Sequence, residues 1–220
     1  MTRAYYVWGF VSSALFLCAI PALMHQLWVI QERKRKKARG ELSDRITQSI
    51  SLNQIASSYC AVFSFFLFGL VLDEPDPFLV YPRMLVGMLL YLVVVELYRD
   101  RRTFRAQLTL AIMTASLCIP VAYLISGIRG SHWVRHFSTS LVCFATVIMA
   151  QGAWAQFKAL HRSGKRGAVS LPMHLVLYGK DFSGLMFGVQ IGIDAWSIVL
   201  MHAVNLIARA PVIYSYLRSS

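Results

Sequence analysis

The sequence predicts an all-α membrane protein with seven transmembrane helices. Its 220 residues are 57% hydrophobic and 15% charged, whereas soluble proteins average about 45–50% and about 25%. Four stretches of 22 residues or more contain no Asp, Glu, Lys or Arg, which exceeds the roughly 20 residues that a helix needs to cross a bilayer. The chain has 22 Lys and Arg but only 10 Asp and Glu. In a soluble protein this excess would indicate binding to nucleic acid, but in so apolar a chain it indicates contact with a membrane surface.

Three of the seven predicted helices carry charge inside them. Arg83 lies in the third, Lys180 and Asp181 lie in the sixth, and Arg209 lies in the seventh. The last two helices are separated only by a tight turn at 192–194, because one helix of nearly 50 residues would overshoot any bilayer. The predicted bounds are about 4–30, 47–72, 78–98, 106–128, 136–159, 168–192 and 195–217.

The orientation follows from the basic residues, which concentrate on the cytoplasmic side of membrane proteins. With the N-terminus outside, sixteen Lys and Arg lie inside, only three lie outside, and the acidic segment 73–77 faces outside. We therefore predict a multi-pass protein of the cell or bacterial inner membrane, with its C-terminus in the cytoplasm.

A basic run, 32–39, follows the first predicted helix. We expect a cytoplasmic loop that sets topology and lies against anionic headgroups, and a docking site for a partner or a specific lipid is left open. The four cysteines all fall inside predicted helices, without metal-ligand spacing, and are expected to be buried apolar residues. They are Cys18, Cys60, Cys118 and Cys143.

Two segments of the chain are similar to each other. Gln26 precedes a basic stretch and the motif Arg-Gly-x-Leu-Ser at 39–43, and Gln156 precedes a basic stretch and Arg-Gly-x-Val-Ser at 166–170. A pair of predicted helices follows each motif. We interpret this as two three-helix repeats in the same orientation, 1–105 and 136–220, joined by an inverting linker helix at 106–128. Chance similarity of two basic loops is the alternative.

This arrangement resembles the PQ-loop/SWEET superfamily, which includes sugar facilitators, lysosomal amino-acid exporters, vitamin-precursor transporters and the KDEL receptors. The residues that carry the resemblance are Gln26 and Gln156, near the inner ends of the first and fifth helices, and Asn205, which precedes Pro211 and Tyr214 in the seventh. The resemblance implies a SWEET-like fold, a substrate-facing Asn205, and hinges at Pro21, Gln26 and Gln156. Pro21 stands five residues before its Gln, the family's Asn in the third helix is absent, and Arg83 occupies that stretch, which weakens the case for a sugar.

The candidate site consists of polar residues inside the predicted helices, where a charge costs at least about 2.5–3.5 kcal/mol and usually has a function. His202, Asn205 and Arg209 are spaced to share one face of the seventh helix. Lys180 and Asp181 point about 100° apart on the sixth, so we expect each to meet a different helix. Asn53 and Gln54 occupy the corresponding repeat positions in the second helix, at an offset of 127. Polar residues of the second, sixth and seventh helices are therefore expected at a similar depth in the membrane, which is where parallel-repeat transporters bind their substrate.

Structural roles remain open for each of these residues. Arg83 and Arg209 could extend toward a membrane surface, and His202 could be a packed core residue. Asp181 could serve only as a counter-ion, either for neighbours of Lys180 or for Arg209. Glycines at 179, 184, 188 and 192 favour close packing or flexing of the sixth helix. The tryptophans Trp133 and Trp196 are typical of interfacial anchors.

The net positive charge of this site favours a solute with a carboxylate or phosphate, and Asp181 with His202 forms a candidate proton-coupling pair. We therefore expect a transporter of a small polar solute that works by alternating access. A KDEL-receptor-like sorting protein and an accessory subunit of a membrane complex are the alternatives. Membrane lipids and the solute are the expected partners, homo-oligomerisation is open, and no enzyme activity, cofactor, metal site or nucleic-acid partner is expected.

Overall fold

All regular secondary structure of the described residues is helical. The computed structural model describes residues 2–41, 46–47, 50, 52–72, 74–126, 132–163 and 171–218. Within them we number eight α-helices in chain order, and a short 3₁₀ turn, Ile193–Ala195, precedes the last. They are α1 (Arg3–Leu17), α2 (Ala19–Ala38), α3 (Leu52–Leu70), α4 (Pro77–Arg101), α5 (Phe104–Ser126), α6 (His132–Ser163), α7 (Leu171–Ile191) and α8 (Trp196–Arg218).

Only a turn at Cys18 separates α1 from α2, so the described residues form seven helical segments, as predicted. Five are long and apolar enough to cross a membrane, and apolar helices of this length are typical of multi-pass membrane proteins. Their bounds are Arg3–Ala38, Pro77–Arg101, Phe104–Ser126, Trp133–Gln151 and Ile193–Tyr214, and Ile55–Leu70 is a shorter apolar helix.

The basic run is helical, and the prediction of a loop there was wrong. Helix α2 continues through Ala38 because Glu, Lys, Arg and Ala are all strong helix formers. Arg35, Lys36 and Lys37 in its last turn also offset the partial negative charge at a helix C-terminus. The helix ends where Gly40 adopts a positive φ of 74°. The amide of Glu41 donates to the Lys36 carbonyl at 3.0 Å and that of Gly40 to the Lys37 carbonyl at 3.1 Å, which satisfies the last carbonyls.

The chain divides into two compact units. The first comprises Met1–Phe16 with Thr139–Ser220, and the second comprises Leu17–Ser138. This grouping by contacts does not test whether the sequence repeats, so the predicted repeats 1–105 and 136–220 stay a prediction. The second copy of the repeated motif, 166–170, lies outside the described residues, as do positions 42–43 of the first.

In the unit Leu17–Ser138, α3 and α4 form a hairpin around an apolar core. The Asp76 carboxylate caps α4 by accepting from the amides of Phe78 at 2.9 Å and Leu79 at 3.1 Å. A Cβ atom on Gly69 would lie 2.5 Å from the Cβ atom of Leu79, so only glycine permits this approach of the two helices. The fully buried side chains of the unit include Leu67, Phe68, Leu79, Val93, Val94 and Leu97.

The segment before α3 is fastened to the last turn of α4. The Thr47 amide and hydroxyl each donate to Asp100 Oδ2 at 2.8 Å. Arg101 donates through Nε to the Thr47 hydroxyl at 3.1 Å and through its Nη2 to the Thr47 and Ile50 carbonyls. Thr47 is fully buried as a result. The predicted second helix, 47–72, begins later, at Leu52, because these first residues bond to α4 instead of to their own helix.

In the other unit, α7 and α8 form a second hairpin, which closes through Gly192. This residue has a φ of 105°, a backbone conformation that favours glycine. Helix α1 packs against α7 through aromatic pairs, Tyr5 with Phe187 at 5.4 Å between ring centroids and Trp8 with Phe182 at 6.0 Å. The hairpin positions the candidate site.

Candidate functional site

The Asp181 carboxylate is the centre of a cluster of charged side chains between α7 and α8. Asp181 is fully buried. Its Oδ2 atom accepts from Nε of Arg209 at 3.0 Å, and its Oδ1 atom lies 3.2 Å from Nδ1 of His202 and 3.3 Å from Nζ of Lys180. Two cations and an imidazole therefore share one carboxylate, which is how a buried charge is usually stabilised.

His202 and Arg209 reach the same carboxylate although they start two turns apart on α8, about 10 Å along the axis. They lie on one face of the helix, as their spacing of seven residues predicts, and the long arginine side chain spans the remaining distance. His202 is buried, whereas the side chain of Arg209 is 15% exposed. The sequence therefore predicted this face correctly, and Arg209 is a counter-ion of Asp181.

Lys180 pairs with its own neighbour, so the prediction that it would meet a different helix was wrong. The Cα–Cβ bonds of Lys180 and Asp181 diverge by about 100°, but four methylene groups let the lysine side chain bend back to the adjacent carboxylate. The Lys180 side chain is 17% exposed. Asp181 meets α8, as expected.

Gly184 makes room for His202. A Cβ atom on Gly184 would lie 2.3 Å from the Nε2 atom of the imidazole, well inside van der Waals contact. Gly188, one turn further, approaches Val199 in the same way, since a Cβ atom there would lie 3.0 Å from the valine Cγ2. A Cβ on Gly179 would meet no atom within 4 Å. The glycines of α7 thus favour close packing at two positions, and one of them shapes the site.

Asn205 is buried on the same face of α8 but turns toward α6. Its Nδ2 atom lies 3.9 Å from Sδ of Met149, a weak acceptor. Sequence reasoning missed Met149, because a methionine within a long apolar helix has no signal that separates it from an ordinary core residue.

The remaining predicted site residues lie elsewhere. Asn53 is exposed in the first turn of α3 and Pro21 is exposed on α2, whereas Gln26 is half-buried there. All three belong to the unit Leu17–Ser138. The side chains of Gln54 and Gln156 lie outside those that the structure describes.

Arg83 is buried near the start of α4. One of its guanidinium nitrogens, Nη1, donates to the Phe78 carbonyl at 2.6 Å, and its guanidinium carbon lies 5.5 Å from the centroid of the Phe65 ring. This cation–π contact and hydrogen bond hold the arginine within its own hairpin. Its side chain extends toward the N-terminal end of α4, which is the direction expected for a residue reaching the nearer membrane surface, but it ends inside the protein.

With His202 neutral, the cluster has two positive charges and one negative charge. Both carboxylate oxygens of Asp181 are engaged with these groups. An anion that bound here would compete with Asp181 for Lys180 and Arg209. Protonation of Asp181 would remove that competition.

No known protein-family model matches the chain, and no curated protein matches its sequence.

Proposed function

We propose that the protein transports a small polar solute that carries a carboxylate or phosphate, with the Asp181 cluster as its binding site. The observation that carries the proposal is the pairing of one buried carboxylate with Lys180, His202 and Arg209 inside an apolar helical hairpin. Charges inside membrane helices are costly and are usually retained for function. A surplus of positive charge selects an anion.

The proposed transport step is an exchange of partners. In the empty state Asp181 holds the two cations, and in the loaded state the solute's anionic group replaces it while a proton neutralises Asp181. A proton would then move with the solute, which makes the transport proton-coupled. The fold that we propose for this activity is the SWEET-like arrangement of two three-helix repeats, and its support is the seven helical segments and the repeated Gln–basic–Gly-x-x-Ser pattern.

Reconstitution in liposomes tests the proposal. The purified protein is assayed for uptake of radiolabelled mono- and dicarboxylates, sugar phosphates and, as neutral solutes, sugars, with and without an inward proton gradient. We expect flux of an anionic solute that Arg209→Gln lowers at least tenfold, whereas Arg105→Gln, an exposed arginine of α5, leaves it unchanged. Saturable binding of an anion without flux would indicate the receptor function instead, and flux of neutral sugars alone would contradict the anion site.

A further inference from the structure

One exposed ridge of α2 changes in character from apolar to basic along its length. Met24, Trp28, Arg35 and the C-cap residue Arg39 fall within about 40° of one line on the helix surface, because their spacings of 4, 7 and 4 residues are close to whole turns. All four are exposed, and the Trp28 side chain keeps 60% of its surface. The opposite side of the helix carries Ile30, which is buried.

On the side of α2 that carries Ile30, a basic side chain pairs with α4. Lys34 forms an ion pair with the buried Glu96, which Arg99 also contacts at 3.2 Å. These contacts hold α2 against α4 and turn the ridge outward. Arg35 makes no ion pair among the described residues, and Arg39 makes only an exposed contact of 3.7 Å with Glu41, a type of pair that contributes little.

We infer that this ridge, Met24–Trp28–Arg35–Arg39, binds the phosphate headgroups of anionic phospholipids in the protein's own membrane. A tryptophan that follows an apolar surface is typical of the boundary between hydrocarbon and headgroups. Arg35 lies about 10 Å beyond Trp28 along the axis, at the depth of the headgroups, and Arg39 reaches the same layer from one turn further. Arginine is suited to this role because its planar guanidinium binds two phosphate oxygens at once.

The neighbouring surface supports a lipid over a nucleic acid. At the same end of the unit, Phe104 is exposed between Arg102 and Arg105 at the start of α5, so a second aromatic residue again accompanies exposed arginines. A surface for nucleic acid has no need of an adjoining apolar strip such as Met24 and Trp28. The half-buried Glu32 lies within about 40° of the ridge and weakens its attraction for an anion.

The test measures how many phosphatidylglycerol molecules the full-length protein retains by native mass spectrometry, and the apparent Kd in a lipid titration in detergent, with phosphatidylcholine for comparison. Each basic residue near an anionic lipid contributes about a fivefold factor in affinity. We expect Arg35→Gln with Arg39→Gln to weaken phosphatidylglycerol binding about 30-fold. We expect Glu32→Gln to tighten it, by about fivefold.

The matched control is Lys36→Gln with Lys37→Gln, which removes the same charge from the same turns but from other faces of α2. We expect it to weaken binding by no more than about fivefold. Equal losses in the two double variants would overturn the ridge as the site and leave only general electrostatic attraction. Retention of phosphatidylcholine at the same affinity, competition by free glycerol phosphate at equal concentration, or tighter binding of a nucleic-acid oligomer would each overturn the lipid headgroup as its ligand.

Discussion

Arg209 and Asp181 are 28 residues apart in the chain, and their side chains meet at 3.0 Å, Nε to Oδ2, across the α7–α8 hairpin. Among the described residues this is the shortest contact between ionisable groups of the two helices, and the acid is fully buried. Removing one member of a buried ion pair leaves the other charge buried without a counter-ion, which lowers stability. We therefore expect the stability of this unit to depend on Asp181.

Asp181→Asn should lower stability strongly, because it leaves Lys180 and Arg209 without their counter-ion in an apolar surrounding. We expect a loss of about 3–5 kcal/mol in the free energy of unfolding, read as a lower thermal midpoint in detergent. Combining it with Arg209→Gln should recover part of the loss, since the second change removes one of the two stranded charges. Additive losses in the double variant would show that the two residues do not act as a pair.

Asp181→Asn should also remove the pH dependence of uptake if Asp181 carries the coupled proton. In the wild type, anion uptake should rise as the pH falls, because a proton neutralises Asp181 in the same step in which the solute replaces it at Lys180 and Arg209. Asparagine cannot titrate, so uptake by Asp181→Asn should be flat across the same pH range. Liposome uptake between about pH 5 and 8, at equal amounts of inserted protein, provides the measurement, and an unchanged pH profile would exclude Asp181 as the proton carrier.

Gly184→Ala should displace His202, because the new methyl group would overlap the imidazole. Overpacking of this kind typically costs about 1–3 kcal/mol, and we expect a corresponding decrease in thermal midpoint. Gly179→Ala is the matched control: the site is open, and alanine is a better helix former by up to about 1 kcal/mol, so stability should hold or rise. Adding His202→Ala should rescue Gly184→Ala if the clash is with the imidazole, and failure of that rescue would place the conflict elsewhere.

Thr47→Val should release the segment that precedes α3. The substitution keeps the shape of the side chain but removes the hydroxyl that bonds to Asp100 and Arg101, and leaving buried polar partners unsatisfied costs about 1–3 kcal/mol. We expect faster hydrogen exchange at residues 46–47 and 50 and a lower thermal midpoint. Thr109→Val serves as the control, because in the part of the chain that the structure describes its hydroxyl bonds only the Arg105 carbonyl of its own helix, at 2.9 Å. Equal effects of the two changes would argue against a specific attachment to α4.

The helical segments could be predicted closely because they depend on local properties of the chain. An apolar run of about 20 residues must satisfy its backbone internally in a bilayer, and a helix does so within the segment itself. The predicted ends therefore agree with the observed helices to within a few residues for most segments. The two larger deviations have separate causes: the basic run 32–38 continues α2 because its residues favour a helix, and α3 begins at Leu52 because the preceding residues bond to α4.

The face of α8 that carries His202 and Arg209 was likewise predictable from spacing alone, but their partner was not. Which of the interior charges Arg209 meets depends on how α7 and α8 pack, and this is set by the turn at Gly192 and by the absence of side chains at Gly184 and Gly188. Lys180 reaches Asp181 on its own helix because its side chain is long and flexible, which the angle between the two Cα–Cβ bonds alone does not indicate.

Composition and periodicity alone thus determined the all-helical class, the number of helical segments and the face of α8 that carries His202 and Arg209, because hydrophobic transfer and helix geometry act on the chain locally. The tertiary structure decided the pairings: Asp181 with His202 and Arg209, Thr47 with Asp100 and Arg101, and Lys34 with Glu96. Each joins residues through packing between helices, and the energy of a charge depends on what lies within a few ångströms of it rather than on its neighbours in sequence.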